Sequence, residues 1–436
     1  MRGKGEWIVT NQRTAFERGA VNGVRVHVMP TKRFKTFAIA VYIGIPLKEE
    51  TVTPVALTPF VLRRGTTALP ETIQFRERLD ELYGAGFGFD VYKRGDYQII
   101  QFRMDIINDA FVHTSESLLK RGFQFLGDVI TSPVLEDGVF RNKYVQEEKE
   151  TVRKRLEAIV NDKIRYAQER CVEEMCKDEP YRLHPLGDRA QLADIDSTSL
   201  YSQYQSWLEQ ACMDVYVIGD TSLEEIESCI TSSFQVKRSE EKNYSQTTIN
   251  VRSGEPNKVV DRLEVTQGKL NMGLRTTIAY QDNEYPAALL YNGVLGGYPH
   301  SKLFINVREK NSLAYYASSR YDGHKGIMTI QSGVEFDLME KATTIIKEQL
   351  EAMEQGQIET LELAQTKAMI SNHLREIDDS AFEMIGFDFN RVLSGRERTT
   401  SQLIDEIAAI QVKDIQAAAG TFRLDTIYEL RNREEA

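Results

Sequence analysis

The sequence predicts an α+β protein made of two structurally similar halves, each a mainly antiparallel sheet packed on helices. The chain has 436 residues, and common domains have roughly 100–200, so more than one structural unit is expected. Predicted strands come in runs and long helices follow them, which is typical of the α+β class, with helices on one face of the sheet. The same order begins again after residues 232–258, a polar stretch typical of a linker. We therefore expect a first half over residues 1–231 and a second half over residues 259–436.

In the first half, hydrophobic periodicity predicts both strands and helices. Val24, Val26 and Val28 alternate with polar residues, which indicates a strand with one buried face. An apolar stripe at helical spacing predicts a single long helix over Lys143–Met175. Further strands are predicted over 37–43, 89–92, 97–104 and 213–218, and shorter helices over 52–63, 71–83 and 114–130.

The second half repeats this arrangement with little sequence identity to the first. Alternating Leu270, Met272 and Leu274 predict its first strand. The remaining predicted elements are strands over 313–318 and 326–333 and helices over 287–295, 338–353, 359–376 and 400–410.

Charge and composition exclude several classes of function. Lys plus Arg total 54 and Asp plus Glu total 65, so the net charge is −11, and such a chain lacks the cationic surface that nucleic acids require. The first residues, MRGKGEWIVTNQR, contain no apolar signal-peptide core, and the longest apolar stretch, 37–47, is far shorter than the ~20 residues of a membrane span. The four cysteines form no C-x-x-C pair and are expected to be reduced and mostly buried. We therefore expect a cytoplasmic protein without membrane insertion.

The sequence contains no familiar set of catalytic residues. No two of the six histidines lie within five residues of each other, so the metal-binding spacings H-x-x-E-H, H-x-x-H and H-x-H are all absent. There is neither a G-x-S-x-G nucleophile turn nor a G-x-x-x-x-G-K-[ST] phosphate loop. An isolated histidine is more often structural than functional.

One segment, residues 301–316 with the sequence SKLFINVREKNSLAYY, carries a resemblance to a known family. It resembles the second-half signature of the insulinase and pitrilysin type of zinc peptidase, which includes the mitochondrial processing peptidases. In that family a helix with L-F-x-x-V-R-E-x-x-x-L-A-Y supplies an Arg–Tyr pair that faces the zinc site. Similar landmarks follow in the family's order along the chain: Asn22–Val26, Arg64–Thr66, His184–Gly187 and Val217–Asp220.

The family's metal motif can be located by counting from Gly65 and Thr66. The H-x-x-E-H positions fall on Ala56-Leu57-Thr58-Pro59-Phe60, so both histidines and the glutamate base are replaced. The third ligand follows a glutamate by seven positions, which from Glu148 leads to Arg155. A slip of one position gives Lys154 or Leu156, and counting alone leaves Glu157 open. Ala56, Pro59, Phe60 and Arg155 offer no donor set for zinc, and the arginine adds a like charge, so no metal is expected on this chain.

The resemblance implies roles for two further groups of residues. Arg308 and Tyr315 match the pair that hydrogen-bonds the substrate carbonyl or its oxyanion at a zinc site, and here they could act only on another chain, that is, in trans. Phe89, Asp90 and Val91 match the edge strand that binds an extended peptide substrate by strand addition.

These residues lead to three functional hypotheses. The first is a catalytically incomplete subunit that pairs with a homologous zinc-bearing partner, encloses peptide or unfolded protein in a shared chamber, and assists hydrolysis there. The second is a peptide-binding or protein-binding scaffold with no hydrolytic role. The third is a free-standing metallopeptidase with an unconventional site, which the scattered histidines disfavour.

Overall fold

A computed structural model describes residues 15–433 apart from 237, 239 and 253. The first fourteen residues, on which the expectation of no signal peptide rests, lie outside this range. The strands are β1 (Glu17–Val21), β2 (Val24–Pro30), β3 (Thr36–Pro46), β4 (Gly86–Arg94), β5 (Tyr97–Ile107), β6 (Leu135–Glu136), β7 (Val139–Phe140), β8 (Cys212–Gly219), β9 (Asn257–Leu263), β10 (Gly268–Arg275), β11 (Ala314–Asp322), β12 (Ile327–Val334) and β13 (Arg423–Asn432).

Helices account for most of the remaining regular structure. They are α1 (Val52–Leu62), α2 (Thr72–Glu81), α3 (Leu118–Thr131), α4 (Asn142–Ile159), α5 (Lys163–Met175), α6 (Arg189–Asp194), α7 (Ser197–Gln210), α8 (Leu223–Ser233), α9 (Tyr285–Asn292), α10 (Met339–Glu354), α11 (Thr360–Ile377), α12 (Ala381–Ser394), α13 (Thr400–Ala409) and α14 (Val412–Ala419). Two π-helical turns, Gly293–Gly297 and Phe304–Glu309, join α9 to β11. Within the described ranges, no helix has the length and apolar composition needed to cross a bilayer.

The strands form two main sheets, one in each half. The first has the order β1-β2-β8-β3-β5-β4 and the second the order β11-β12-β10-β13-β9. All neighbouring pairs are antiparallel except β2 with β8 and β9 with β13. The fold is therefore α+β with mainly antiparallel sheets, as the sequence predicts.

Alternation along the central strands decides which core each side chain joins. In β3, Ile39, Val41 and Ile43 pack with the helices of the first half. Ala40 and Tyr42 point to the opposite face and belong to a core shared with the second half. The prediction of helices on only one sheet face was thus incomplete, because the other half covers the second face.

Each half places one helix on the sheet of the other half. Helix α12 packs on β3 and β8, where the Phe389 ring stacks on Tyr42 with centroids 3.9 Å apart. Helix α5 packs on β10 and β13, where Ala167 and Cys171 contact the second sheet. We call this arrangement the reciprocal helix packing.

The predicted long helix over 143–175 is two helices. Helix α4 ends at Ile159, and α5 begins at Lys163 after Asp162, whose side chain accepts a hydrogen bond from the Arg165 backbone N–H at 3.1 Å. The cap starts a new helix. The break allows α4 to stay with the first half while α5 reaches the second sheet.

The segment between the halves follows the surface of the first sheet. The predicted linker 232–258 includes the last two residues of α8 and the first two of β9, and its other described residues are neither helix nor strand. The Tyr244 hydroxyl donates to Asp214 at 3.1 Å. Asp214 is fully buried and also accepts two hydrogen bonds from Arg25, both at 2.7 Å. Burial alone would raise the pKa of Asp214, but the hydrogen bonds from Arg25 and His27 lower it to about 2.

Candidate functional site

Helix α1 contains Ala56, Pro59 and Phe60, which the resemblance predicts to stand at the family's metal-ligand positions. Every residue of α1 is buried, including Ala56, Pro59 and Phe60. Pro59 lies inside the helix rather than at its start. In this sequence the segment is therefore a core helix, and its side chains offer no metal ligand.

The Phe60 ring is enclosed by one other ring and two cations. It meets Phe89 of β4 edge-on, with centroids 4.9 Å apart. The guanidinium carbon of Arg155 lies 4.8 Å from the centroid of Phe60, and that of Arg63 lies 5.7 Å from it. These are cation–π distances. The structure thus brings together Phe60, Arg155 and Phe89, and we call these three residues with Arg63 the arginine–phenylalanine site.

The glutamate from which the third-ligand position was counted holds an arginine instead of a metal. Glu148 is 1 % exposed and accepts a hydrogen bond from Arg64 Nε at 2.5 Å. Glu157, the other candidate, pairs with Arg153 at 2.5 Å and Arg189 at 3.0 Å on the helix surface. Over the part of the chain that the structure describes, no three His, Cys, Asp or Glu side chains lie together as a metal site.

The predicted peptide-binding residues lie on a sheet edge. Strand β4 pairs only with β5 among the described strands. Phe89 and Val91 face the helices, whereas Asp90 is exposed and pairs with Arg103 at 2.5 Å. The outer backbone groups of such a strand can pair with an added peptide.

Arg308 and Tyr315 lie on the surface of the second half. Arg308 is exposed near the end of the second π-helical turn, and its guanidinium carbon lies 4.6 Å from the Phe304 centroid. The Leu313 backbone N–H donates to the Val307 carbonyl at 3.0 Å, which ties this turn to the start of β11. Arg308 has no carboxylate partner within the described residues.

A β-bulge sets the direction of Tyr315. Ala314 pairs with Val334 and Tyr316 pairs with Gly333, so Tyr315 is the extra residue on the edge strand β11. Its side chain is 78 % exposed, whereas Ala314 before it is buried. Bulges re-aim side chains in this way and are frequent beside functional sites.

A cavity of about 1420 Å³ lies between the two halves and is lined by residues of both. Seven tyrosines of the described chain line it together with charged side chains, and α5 and α12 both contribute to its wall. Tyr92, Lys93 and Arg94, at the end of β4, belong to this wall, but Phe60, Arg155, Arg308 and Tyr315 do not. Strand β4 therefore runs from the arginine–phenylalanine site to the cavity.

Burial lowers the pKa of a lysine and of a histidine in the cavity wall. Burial lowers the pKa of Lys93 to about 8, and its ammonium donates to the Tyr181 carbonyl at 2.5 Å. Burial, with Arg94 close by, lowers the pKa of His324 to about 4. The His324 ring stacks on Tyr280 with centroids 4.8 Å apart and planes at 12°. Both groups therefore sit in a poorly solvated wall.

Sequence reasoning did not identify this cavity or its wall. Its residues come from distant segments, such as Tyr42, Tyr181, Tyr280 and His324, and no local pattern links them. The local signal in the sequence is the polar triplet Tyr92-Lys93-Arg94 at the end of the edge strand β4.

Comparisons with known proteins assign the family. The model of the peptidase M16 inactive domain matches residues 194–370. A probable inactive metalloprotease of Bacillus subtilis, YmfF, is 38 % identical over 95 % of this chain and 97 % of its own length. YmxG of the same organism, named an uncharacterized zinc protease, is 21 % identical over 91 % of this chain and 93 % of its own length. The crystal structure of a conserved Enterococcus faecalis protein superposes with a TM-score of 0.90 at 33 % identity, covering 97 % of this chain and 99 % of that one. The family predicted from the sequence is confirmed: the chain belongs to the M16 peptidases, as a homologue without the zinc motif.

Proposed function

We propose that this chain is the non-metal subunit of a heterodimeric M16 peptidase in the cytoplasm. Its partner is a homologue that keeps H-x-x-E-H and carries the zinc. The two chains enclose a peptide or unfolded protein in a shared chamber. This chain contributes Arg308 and Tyr315 to hydrolysis at the partner's zinc and has no activity alone.

The bulge at Tyr315 is the observation that carries this proposal. It turns a phenol outward at the sheet edge, 78 % exposed, and the π-helical turn that carries Arg308 packs against the same strand. A cation and a phenol held in place before reaction stabilise the oxyanion of a peptide-bond transition state, and losing one such donor costs roughly 10²–10³ in rate. The metal-ligand positions of this chain are occupied by Ala56, Pro59, Phe60 and Arg155, so the pair needs a zinc site on a second chain.

Two further features support the substrate and the compartment in this proposal. The open edge of β4 suits an extended peptide, which main-chain hydrogen bonds hold with little regard to its sequence. The four cysteines of the chain are buried free thiols, which suits a reducing compartment.

The test is a peptidase assay with a zinc-bearing homologue from the same cell. We expect the mixture to cleave a quenched fluorescent peptide that neither chain cleaves alone. Arg308→Ala and Tyr315→Phe should each lower kcat by about 10²-fold, because each removes one donor to the transition-state oxyanion. Complex formation, followed by analytical ultracentrifugation, should be unchanged.

Matched controls separate this role from a general surface effect. Arg375→Ala removes an exposed arginine of α11, and Tyr83→Phe removes an exposed phenol whose hydroxyl donates to the His113 carbonyl. Both should leave kcat within about twofold, since exposed substitutions away from a site have small effects. An active pair whose kcat is unaffected by Arg308→Ala would contradict the catalytic part of the proposal.

The cavity between the halves favours the scaffold as a second candidate. It lies within one chain and is lined by tyrosines and charged groups, so it can hold a peptide without a partner. Under this alternative, peptide binding persists in the isolated chain and no homologue confers hydrolysis. Stoichiometric zinc in the purified chain, removed by a chelator together with peptidase activity, would reject both candidates.

A further inference from the structure

The arginine–phenylalanine site carries positive charge where related enzymes hold a cation. Arg155 is exposed, and the described residues include no carboxylate within ion-pair distance of it. The Arg63 side chain is 40 % exposed and lies 3.8 Å from the Glu148 carboxylate. Both guanidinium groups rest on the same Phe60 ring.

The nearby carboxylates are committed to other cations. Glu148 accepts its 2.5 Å hydrogen bond from Arg64, which also pairs with Glu147 at 3.0 Å. The weaker contact with Arg63 leaves that guanidinium only partly compensated. The site therefore presents one uncompensated and one partly compensated guanidinium at a surface that remains open to solvent. Such a pair is suited to a carboxylate, which arginine binds in a bidentate manner.

Strand β4 would deliver a peptide side chain to this surface. Phe89 faces Phe60 and lies 5.6 Å from the Arg63 guanidinium carbon. A residue directly opposite on an added strand points to the same face of the sheet, with the strands about 4.8 Å apart. The side chain that pairs opposite Phe89 therefore points towards the two arginines.

We propose that this site selects an acidic side chain, Asp or Glu, in an extended peptide that pairs with β4. The inference deepens the proposed function, because it rests on strand addition at β4 and adds the class of peptide that is preferred. At the corresponding positions a zinc-bearing homologue would hold a metal cation, whereas this chain would bind an anionic side chain of the peptide.

The position of Phe89 within the strand favours a side chain over a chain terminus. Phe89 is the fourth of nine residues of β4, so a paired peptide continues on both sides of it. Towards Arg94 the same peptide reaches the cavity between the halves. A C-terminal carboxylate at the site would end the pairing there and leave the rest of the edge open.

The experiment measures binding of two labelled peptides to the full chain by fluorescence anisotropy. The probes are fluorescein-labelled ten-residue peptides of alternating serine and valine, with one central valine replaced by glutamate in the first and by glutamine in the second. We expect the glutamate peptide to bind about tenfold more tightly at low salt, because it forms charge-assisted hydrogen bonds. The preference should shrink in about 0.5 M salt, since exposed charges are screened.

Substitutions on helix α4 test whether Arg155 selects the acidic side chain. Arg155→Gln should reduce the preference to less than about threefold, and Arg155→Glu should reverse it, so that the glutamine peptide binds more tightly than the glutamate peptide. Arg153→Gln is the matched control, since Arg153 lies on α4 and already pairs with Glu150 and Glu157. This variant should keep the preference. Arg155 is exposed, so these variants are expected to fold.

Each outcome decides a different part of the argument. Equal affinity of the two peptides for the unaltered chain, or a preference that survives Arg155→Gln, overturns the acidic selectivity and leaves strand addition intact. If neither peptide binds, both the acidic selectivity and strand addition at β4 are overturned. The proposed heterodimer is judged separately, by the kcat of the mixed chains.

Discussion

His324 gives a prediction of pH dependence whose size follows from the structure. Its imidazole is buried in the cavity wall and has a pKa of about 4, against 6.5 in an unfolded chain. The unfolded state therefore binds more protons between these values, and the free energy of unfolding falls as the pH is lowered through this window. The unfolded-state pKa of 6.5 lies about 1.5 units above pH 5, and one unit is worth about 1.36 kcal/mol. The titration of His324 should therefore lower the free energy of unfolding by about 2 kcal/mol between pH 7.5 and pH 5.

The variant His324→Phe removes the titration and keeps an aromatic ring against Tyr280. Urea unfolding at pH 7.5 and pH 5 gives the loss of unfolding free energy for each protein, and groups other than His324 contribute equally to both. We expect the unaltered chain to lose about 2 kcal/mol more than the variant. His373→Phe, at an exposed position on α11, is the control and should behave as the unaltered chain. An equal loss in the His324→Phe variant and the unaltered chain would refute the reasoning.

Three further changes test the packing that positions the site. Phe389→Ala removes the α12 ring that stacks on the first sheet and should lower the unfolding free energy by about 3–5 kcal/mol, measured by urea titration. Asp214→Asn leaves the largely buried Arg25 without its ion pair and should cost about 3–5 kcal/mol at pH 7. Because the pKa of Asp214 is about 2 in the folded chain and about 3.9 in the unfolded chain, the difference should shrink by about 2 kcal/mol as the pH falls from about 5 to 2, measured by urea unfolding followed by circular dichroism at each pH. Gly187→Ala should lower the melting temperature, because Gly187 has φ of +83° and a Cβ there would lie 2.5 Å from the Thr53 Cα.

Counting from Gly65 and from Glu148 with the spacing of the resembled family selected two residues that lie close together in the structure. Helix geometry is regular, so counting from Gly65 and from Glu148 selects residues at defined heights on α1 and α4. The structure places Phe60 and Arg155, chosen in this way, within cation–π distance. The same local regularity explains why the strands with strict alternation, such as that through Val24 and Val26, were predicted well.

Features that depend on distant segments were not predictable in this way. The apolar stripe resumes at Ile164 after Ile159, so the break between α4 and α5 is not visible in the periodicity, although Asp162 before Lys163 is a possible helix cap. The bulge at Tyr315 depends on the register of β11 against β12, which the residues of β11 alone do not define. The cavity requires both halves to be in place.

The reciprocal helix packing makes the two halves mutually dependent. If the chain is cut between residues 240 and 252, α5 still covers the second sheet and α12 still covers the first. The two fragments should therefore remain bound to each other and run as one species under native conditions. Either fragment expressed alone would expose the apolar face that its missing neighbour covers, and such a face promotes aggregation. A substitution on α12 therefore alters the packing of the first sheet. We expect that exchanging one half alone between homologues would mismatch these contacts, so the two halves should evolve together.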